Sequence, residues 1–114
     1  MRTALITGGS RGIGAAAVRA FARAGFRAAF FYRADEAAAG AVARETGAAA
    51  IRCDVSDPGR VREACREAEG TLGHIDALVN NAGIAQQKLL TDVTDEDWRR
   101  MLDVNLSGAF YVTR

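Results

Sequence analysis

Short apolar runs alternate with longer stretches of amphipathic, helical spacing from one end of the chain to the other. Residues 3–7 form an apolar run of strand length, and residues 12–24 carry helical periodicity. On that helix Ile13, Ala17, Phe21 and Ala24 share a face, which predicts burial there and puts Arg19 and Arg23 outside. Gly25 stands where helices commonly stop. A second strand is predicted over 27–32, then a helix begun by Asp35 and ended by Gly47. A third strand follows over 49–53. Ser56 is placed to cap the next helix, built around Val61, Ala64, Cys65 and Ala68. Gly73 and His74 turn the chain into a fourth strand over 75–80. Thr94-Asp95-Glu96-Asp97 supplies a cap and the acidic first turn that a helix macrodipole favours. On that helix Asn105 shares a face with Trp98, Met101 and Leu102, so Asn105 is predicted to point inward and Trp98 to anchor the core. A last helical segment covers 106–113.

Strands separated by helices predict a parallel sheet covered on both faces. Right-handed crossovers then give the strand order 3-2-1-4, an α/β arrangement in which the fourth strand is an open edge with Leu78 and Val79 unshielded. One domain, residues 1–114, is expected from a chain of 114 residues.

Composition narrows the class of partner more than it names one. A formal net charge of +1 gives no case for nucleic acid or an anionic membrane. All basic residues but Lys88 are arginine. Cys53 and Cys65 have no metal-ligand spacing, so no metal site is expected; Cys65 reads as a core thiol, and a reducing, cytoplasmic setting fits. No signal peptide or membrane-spanning run is legible.

The chemistry begins in the first turn, Thr7-Gly8-Gly9-Ser10-Arg11-Gly12-Ile13-Gly14, between a strand and a helix. Glycines let a backbone approach an anion, and a helix N-terminus offers free N–H groups to it. Ala15 and Ala16 stand where a nucleoside-triphosphate loop needs Lys and Ser/Thr, which excludes that class. Asp54 lies at the carboxyl edge of the sheet, where it is either an acceptor for a ligand amino group or a cap for the next helix. Asn81-Ala82-Gly83 is either a small-residue floor or a plain turn, and Asn81 could lock the neighbouring loops. No acidic residue ends the second strand to hold ribose hydroxyls. Arg33 follows Tyr32 there, and with Arg11 it makes a pair of guanidinium groups suited to a phosphate. His74, in a tight turn, reads as structural.

The wider pattern Thr7-Gly8-x-x-x-Gly12-x-Gly14 resembles the cofactor loop of the short-chain dehydrogenase/reductase family. So do Asp54-Val55, the stretch Asp76-Ala-Leu-Val-Asn-Asn-Ala-Gly83, and Val104-Asn105, in order and at family spacing. The resemblance implies a Rossmann-type doubly wound sheet, present as its N-terminal, cofactor-binding half. It implies that Gly8, Ser10, Arg11, Gly12, Ile13, Gly14, Arg33, Asp54, Val55, Asn81, Ala82 and Gly83 bind a nicotinamide cofactor. Arg11 and Arg33 favour NADP(H) over NAD(H). In the family the asparagine matched by Asn105 is catalytic and holds a water in a proton relay. The stretch from Leu89 to Asn105 is similar to the 3-oxoacyl-carrier-protein reductase branch, which implies a small-molecule carbonyl substrate and a homo-oligomer for the complete enzyme.

The family's chemistry also needs a Tyr as general acid with a Lys four residues later. Here Glu36 follows Tyr32 at that spacing, Ile84 precedes Lys88, and Tyr111 has no such partner. The chain is therefore expected to be inactive alone. The alternative is a non-catalytic NADP(H)-binding or interaction module.

Overall fold

A computed structural model describes residues 1–85 and 87–114. Four parallel strands form one sheet: β1 (Thr3–Thr7), β2 (Arg27–Tyr32), β3 (Ala49–Arg52) and β4 (Ala77–Val79), in the order β3-β2-β1-β4. This is the predicted order. β3 and β4 are shorter than the apolar runs suggested, because Cys53 and Ile75 lie beyond the paired ladders.

Both faces of the sheet are covered, so its central strands are apolar throughout rather than alternating. Leu5 and Phe31 face one core, shared with α3 (Pro58–Leu72); Ala4, Ile6 and Phe30 face the other, shared with α1 (Gly12–Arg23) and α2 (Glu36–Thr46). The β4 edge residues are half-buried rather than bare. Beyond β4, α4 (Asp95–Leu102), a π turn (Asp103–Ser107) and α5 (Gly108–Thr113) form one continuous helical rod, with α5 packed on α3. The helix expected after Thr94 and the last segment expected from Leu106 are thus continuous.

Five expectations need correction. Ile13 is exposed, and α1 turns Gly14, Ala15 and Val18 to the sheet instead. Small residues let the helix approach closely at its first turn, and the bulky Ile13 is left outside. Ser56 does not cap α3. Asp57 does, accepting from the N–H groups of Gly59 and Arg60, while Ser56 donates to Asp54. Trp98 is no core anchor, because no residue of α4 is buried: the rod meets the core through buried Val104, Gly108 and Val112, with Tyr111 packed beside them. Asn105 is likewise exposed. Cys65 is half-buried at the edge of the core rather than inside it, whereas Cys53 is buried.

Candidate cofactor site

β1 ends in a buried threonine. The Thr7 hydroxyl accepts from the backbone N–H groups of Asn81 (3.0 Å) and Ala82 (2.9 Å), tying the end of β4 to the end of β1. Asn81 reinforces the joint, its Nδ2 donating to the Gly8 carbonyl at 3.2 Å. The chain then turns through Gly8 at φ +68, in the left-handed region that favours glycine. α1 is pressed against this turn: a Cβ on Gly14 would lie 1.9 Å from the Gly8 oxygen. Such an approach requires glycine at position 14.

The first turn of α1 has neither a side-chain cap nor an acidic residue, whereas Asp35, Asp57 and Thr94 cap α2, α3 and α4. Its N–H groups and the positive end of its dipole are left for an anion.

The carboxyl ends of the four strands enclose a cavity of about 230 Å³. Gly8, Ser10 and Arg11 contribute from the glycine turn, Arg33 from the end of β2, Asp54 and Val55 from beyond β3, and Asn81, Ala82 and Gly83 from beyond β4. Nine of the predicted binding residues therefore meet at one place. Gly12, Ile13 and Gly14 are outside its lining: Gly12 and Ile13 lie on the exposed start of α1, and Gly14 is buried beneath the turn. Thr7 was read only as the first residue of the glycine pattern, although a hydroxyl that ends the apolar run Ala4-Leu5-Ile6 is a signal for such a joint. Phe31, Cys53, Ile84 and Val104 complete the wall. They gave no separable signal, since each also reads as ordinary core.

The polar rim has a defined charge. Burial works to raise the Asp54 carboxyl, but hydrogen bonds from the hydroxyl and N–H of Ser56, with Arg33 and Arg100 nearby, outweigh it and hold the group below its ordinary value. Asp54 is thus an ionised acceptor at neutral pH. Burial pushes the Cys53 thiol up to about 12, so this wall of the cavity is neutral.

Asn105 stands at the centre of the π turn and clasps the segment after β4. Its Oδ1 accepts from Ile84 N–H at 2.8 Å, and its Nδ2 donates to the Ile84 carbonyl at 2.9 Å. Both ends of the exposed amide hold the Ile84 backbone, and Nδ2 also lies 3.9 Å from Met101 Sδ, which fixes the path of residues 83–84 along the cavity. Tyr111 lines a different cavity, between α3, β4 and α5.

A family model for short chain dehydrogenases matches residues 2–114. The chain belongs to the short-chain dehydrogenase family. It is 42% identical over 112 residues to an acetoacetyl-CoA reductase of Shinella zoogloeoides, an alignment covering 98% of this chain and 46% of that protein. A 3-ketoacyl-(acyl-carrier-protein) reductase of Brucella melitensis solved with NADH superposes with a TM-score of 0.94 at 35% identity, covering 99% of this chain and 47% of that one. A blue fluorescent protein from a metagenomic library, solved with NADPH, gives a TM-score of 0.92 at 41% identity, covering 97% and 48%. The chain spans about half the length of the short-chain dehydrogenases it matches.

Proposed function

We propose that this chain is the cofactor-binding half of an NADP(H)-dependent short-chain reductase. The observation that carries the reading is the meeting of Arg11 and Arg33 in one cavity with the glycine turn, Asp54 and Asn81-Ala82-Gly83. The residues suit a dinucleotide. The uncapped start of α1 and the Gly8 turn would receive the pyrophosphate, and ionised Asp54 with Val55 would receive the adenine. Arg11 and Arg33 would grip the 2′-phosphate, since charge-assisted guanidinium bonds to phosphate are strong and no carboxylate at the end of β2 opposes them. Gly12, Ile13 and Gly14 would act by letting the helix start reach the phosphates. A nicotinamide held there would supply a hydride. The chain's own residues orient it: Asn81 holds the glycine turn, and Asn105 holds residue 84 beside it.

The substrate we infer is a carbonyl of the 3-oxoacyl thioester class, supported by the names of the acetoacetyl-CoA and 3-ketoacyl-carrier-protein reductases among the relatives. A relay role for Asn105 would run alongside its clasp on Ile84. Two free thiols suit a reducing cytoplasm. A second reading, a binding module without catalysis, is favoured by one feature: among the described residues no tyrosine lines the cofactor cavity.

Titration of the chain with NADPH and NADH tests the cofactor reading. NADPH is expected to bind at least about tenfold more tightly, a difference of about 1.4 kcal/mol. Arg33→Asp should abolish that preference or reverse it. Equal affinities in the parent chain, or a preference untouched by Arg33→Asp, would remove the support for NADP(H).

A further inference from the structure

Arg33 and Asp54 lie just beyond the ends of β2 and β3, where the two strands part. Among the described residues, the last backbone bond between those ends runs from the Cys53 N–H to the Tyr32 carbonyl at 2.9 Å. The parallel register sets Arg52 beside Tyr32. From there the Arg52 side chain crosses to the end of β2, where its Nε donates to the carbonyl of Arg33 at 3.3 Å. Its Nη1 lies 3.8 Å from Glu36 Oε1, at the start of α2.

The backbone of Arg52 is held in turn. β3 is an edge strand, and because Cys53 points its N–H at β2, the neighbouring Arg52 carbonyl faces the open edge. Arg60, in the first turn of α3, covers that carbonyl. Its Nε at 2.9 Å and its Nη2 at 2.6 Å both donate to the one oxygen. Glu63 and Glu67 of the same helix lie 3.4 and 3.9 Å from the guanidinium. Exposed ion pairs contribute little by themselves, whereas bonds from a guanidinium to an acceptor are charge-assisted and directional. Each carbonyl held in this way controls a residue of the cofactor cavity. Arg52 holds the backbone of residue 33 itself, and Arg60 holds the peptide that leads through Cys53 to Asp54. Neither arginine lines that cavity; with Arg33, Cys53 and Asp54 they line the adjoining one, of about 370 Å³.

On the basis of the cofactor reading above, we infer that Arg52 and Arg60 are positioning residues: Arg52 aims Arg33 at the 2′-phosphate, and Arg60 sets Asp54 for the adenine. The two roles have separate signatures. Only NADPH carries the 2′-phosphate, so loss of the Arg52 bond weakens NADPH and spares NADH. Both cofactors carry the adenine, so loss of the Arg60 grip weakens both by the same factor.

The experiment is titration of the chain and four variants with NADPH and with NADH. Arg52→Met keeps the length of the side chain without a donor, and should cut the NADPH preference about fivefold, the effect of one net hydrogen bond. Arg52→Gln sets an uncharged amide nitrogen where Nε stands, so it should keep the preference. Arg60→Met should weaken NADPH and NADH alike, again about fivefold, and Arg60→Gln should recover most of that loss. Neither side chain is buried, so far-ultraviolet circular dichroism should be unchanged in all four. A parent chain that binds neither cofactor, or binds both alike, overturns the cofactor reading and this inference with it. Where the parent prefers NADPH, the inference alone is overturned if Arg52→Met keeps that preference. It is also overturned if Arg52→Gln loses the preference as Arg52→Met does, since the arginine would then act through its charge. Arg60→Met overturns it too, if both affinities stay unchanged or only that for NADPH falls.

Discussion

Gly12 and Gly14 both sit in the glycine motif, yet the structure asks different things of them. Gly12 adopts φ +59 with nothing within 4 Å of a Cβ, so what it supplies is conformational freedom. Gly14 has an ordinary helical backbone, and what it supplies is the missing Cβ beneath Gly8. Gly12→Asn should therefore cost only about 1 kcal/mol, because Asn tolerates the left-handed region. Gly14→Ala should cost about 3 kcal/mol, at the upper end for overpacking, since the obstructing atom is backbone. Urea denaturation of the two variants checks this ordering; equal losses would mean that α1 can lift off the turn freely. Spacing alone made these residues look equivalent. Their difference is set by contact with Gly8, which no motif records.

At the scale of elements, the segment after β4 is held at both ends by side chains from the rod. Asn105 clasps Ile84, and Asp97 binds Lys88 at 2.6 Å while also completing the Thr94 capping box. The Lys88 bond, the Thr94 N–H and the Thr94 hydroxyl hold the Asp97 carboxyl at about 2, against an ordinary 3.8. The sign follows from linkage: a carboxyl depressed in the folded state stabilises it above the unfolded value, and that contribution is lost as pH falls from about 4 to about 2. Melting temperature measured against pH should fall through that window. Lys88→Met should flatten the fall contributed by Asp97, leaving the parts due to Asp76, which Thr3 and His74 depress, and to Asp54, which Ser56 depresses. A profile unchanged by Lys88→Met would show that the pair does not hold this segment. Element types and order were legible in the sequence because strand runs, capping residues and Gly47 or Gly25 stops all agreed. Helix faces were less so. Periodicity put Ile13 and Trp98 inside, but α1 presents its small residues to the sheet, and α4 stands off the core altogether. The π turn left no periodic trace, because an inserted residue mimics a phase error in an ordinary helix.

For the whole molecule, the parallel sheet is what turns scattered motifs into a site. Residues 8, 10, 11, 33, 54–55 and 81–83 come together only because β1, β2, β3 and β4 all end at the same edge. That convergence was legible once the strand order was, since loops at the carboxyl ends of adjacent parallel strands must be neighbours. The wall residues Phe31, Cys53, Ile84 and Val104 were not, because burial in a core and burial beside a ligand leave the same apolar signature. The cofactor site is defined by where a cofactor phosphate binds. Nuclear magnetic resonance shifts of the isotopically labelled chain, titrated with 2′,5′-ADP and with 5′-AMP, locate it directly. The predicted result is perturbation of amides from Gly8 to Gly14, Arg33, Asp54-Val55 and Asn81 to Gly83, with larger effects at Arg11 and Arg33 for 2′,5′-ADP. Shifts confined to the cavity around Val61 and Tyr111, or no saturable shifts with either nucleotide, would contradict it.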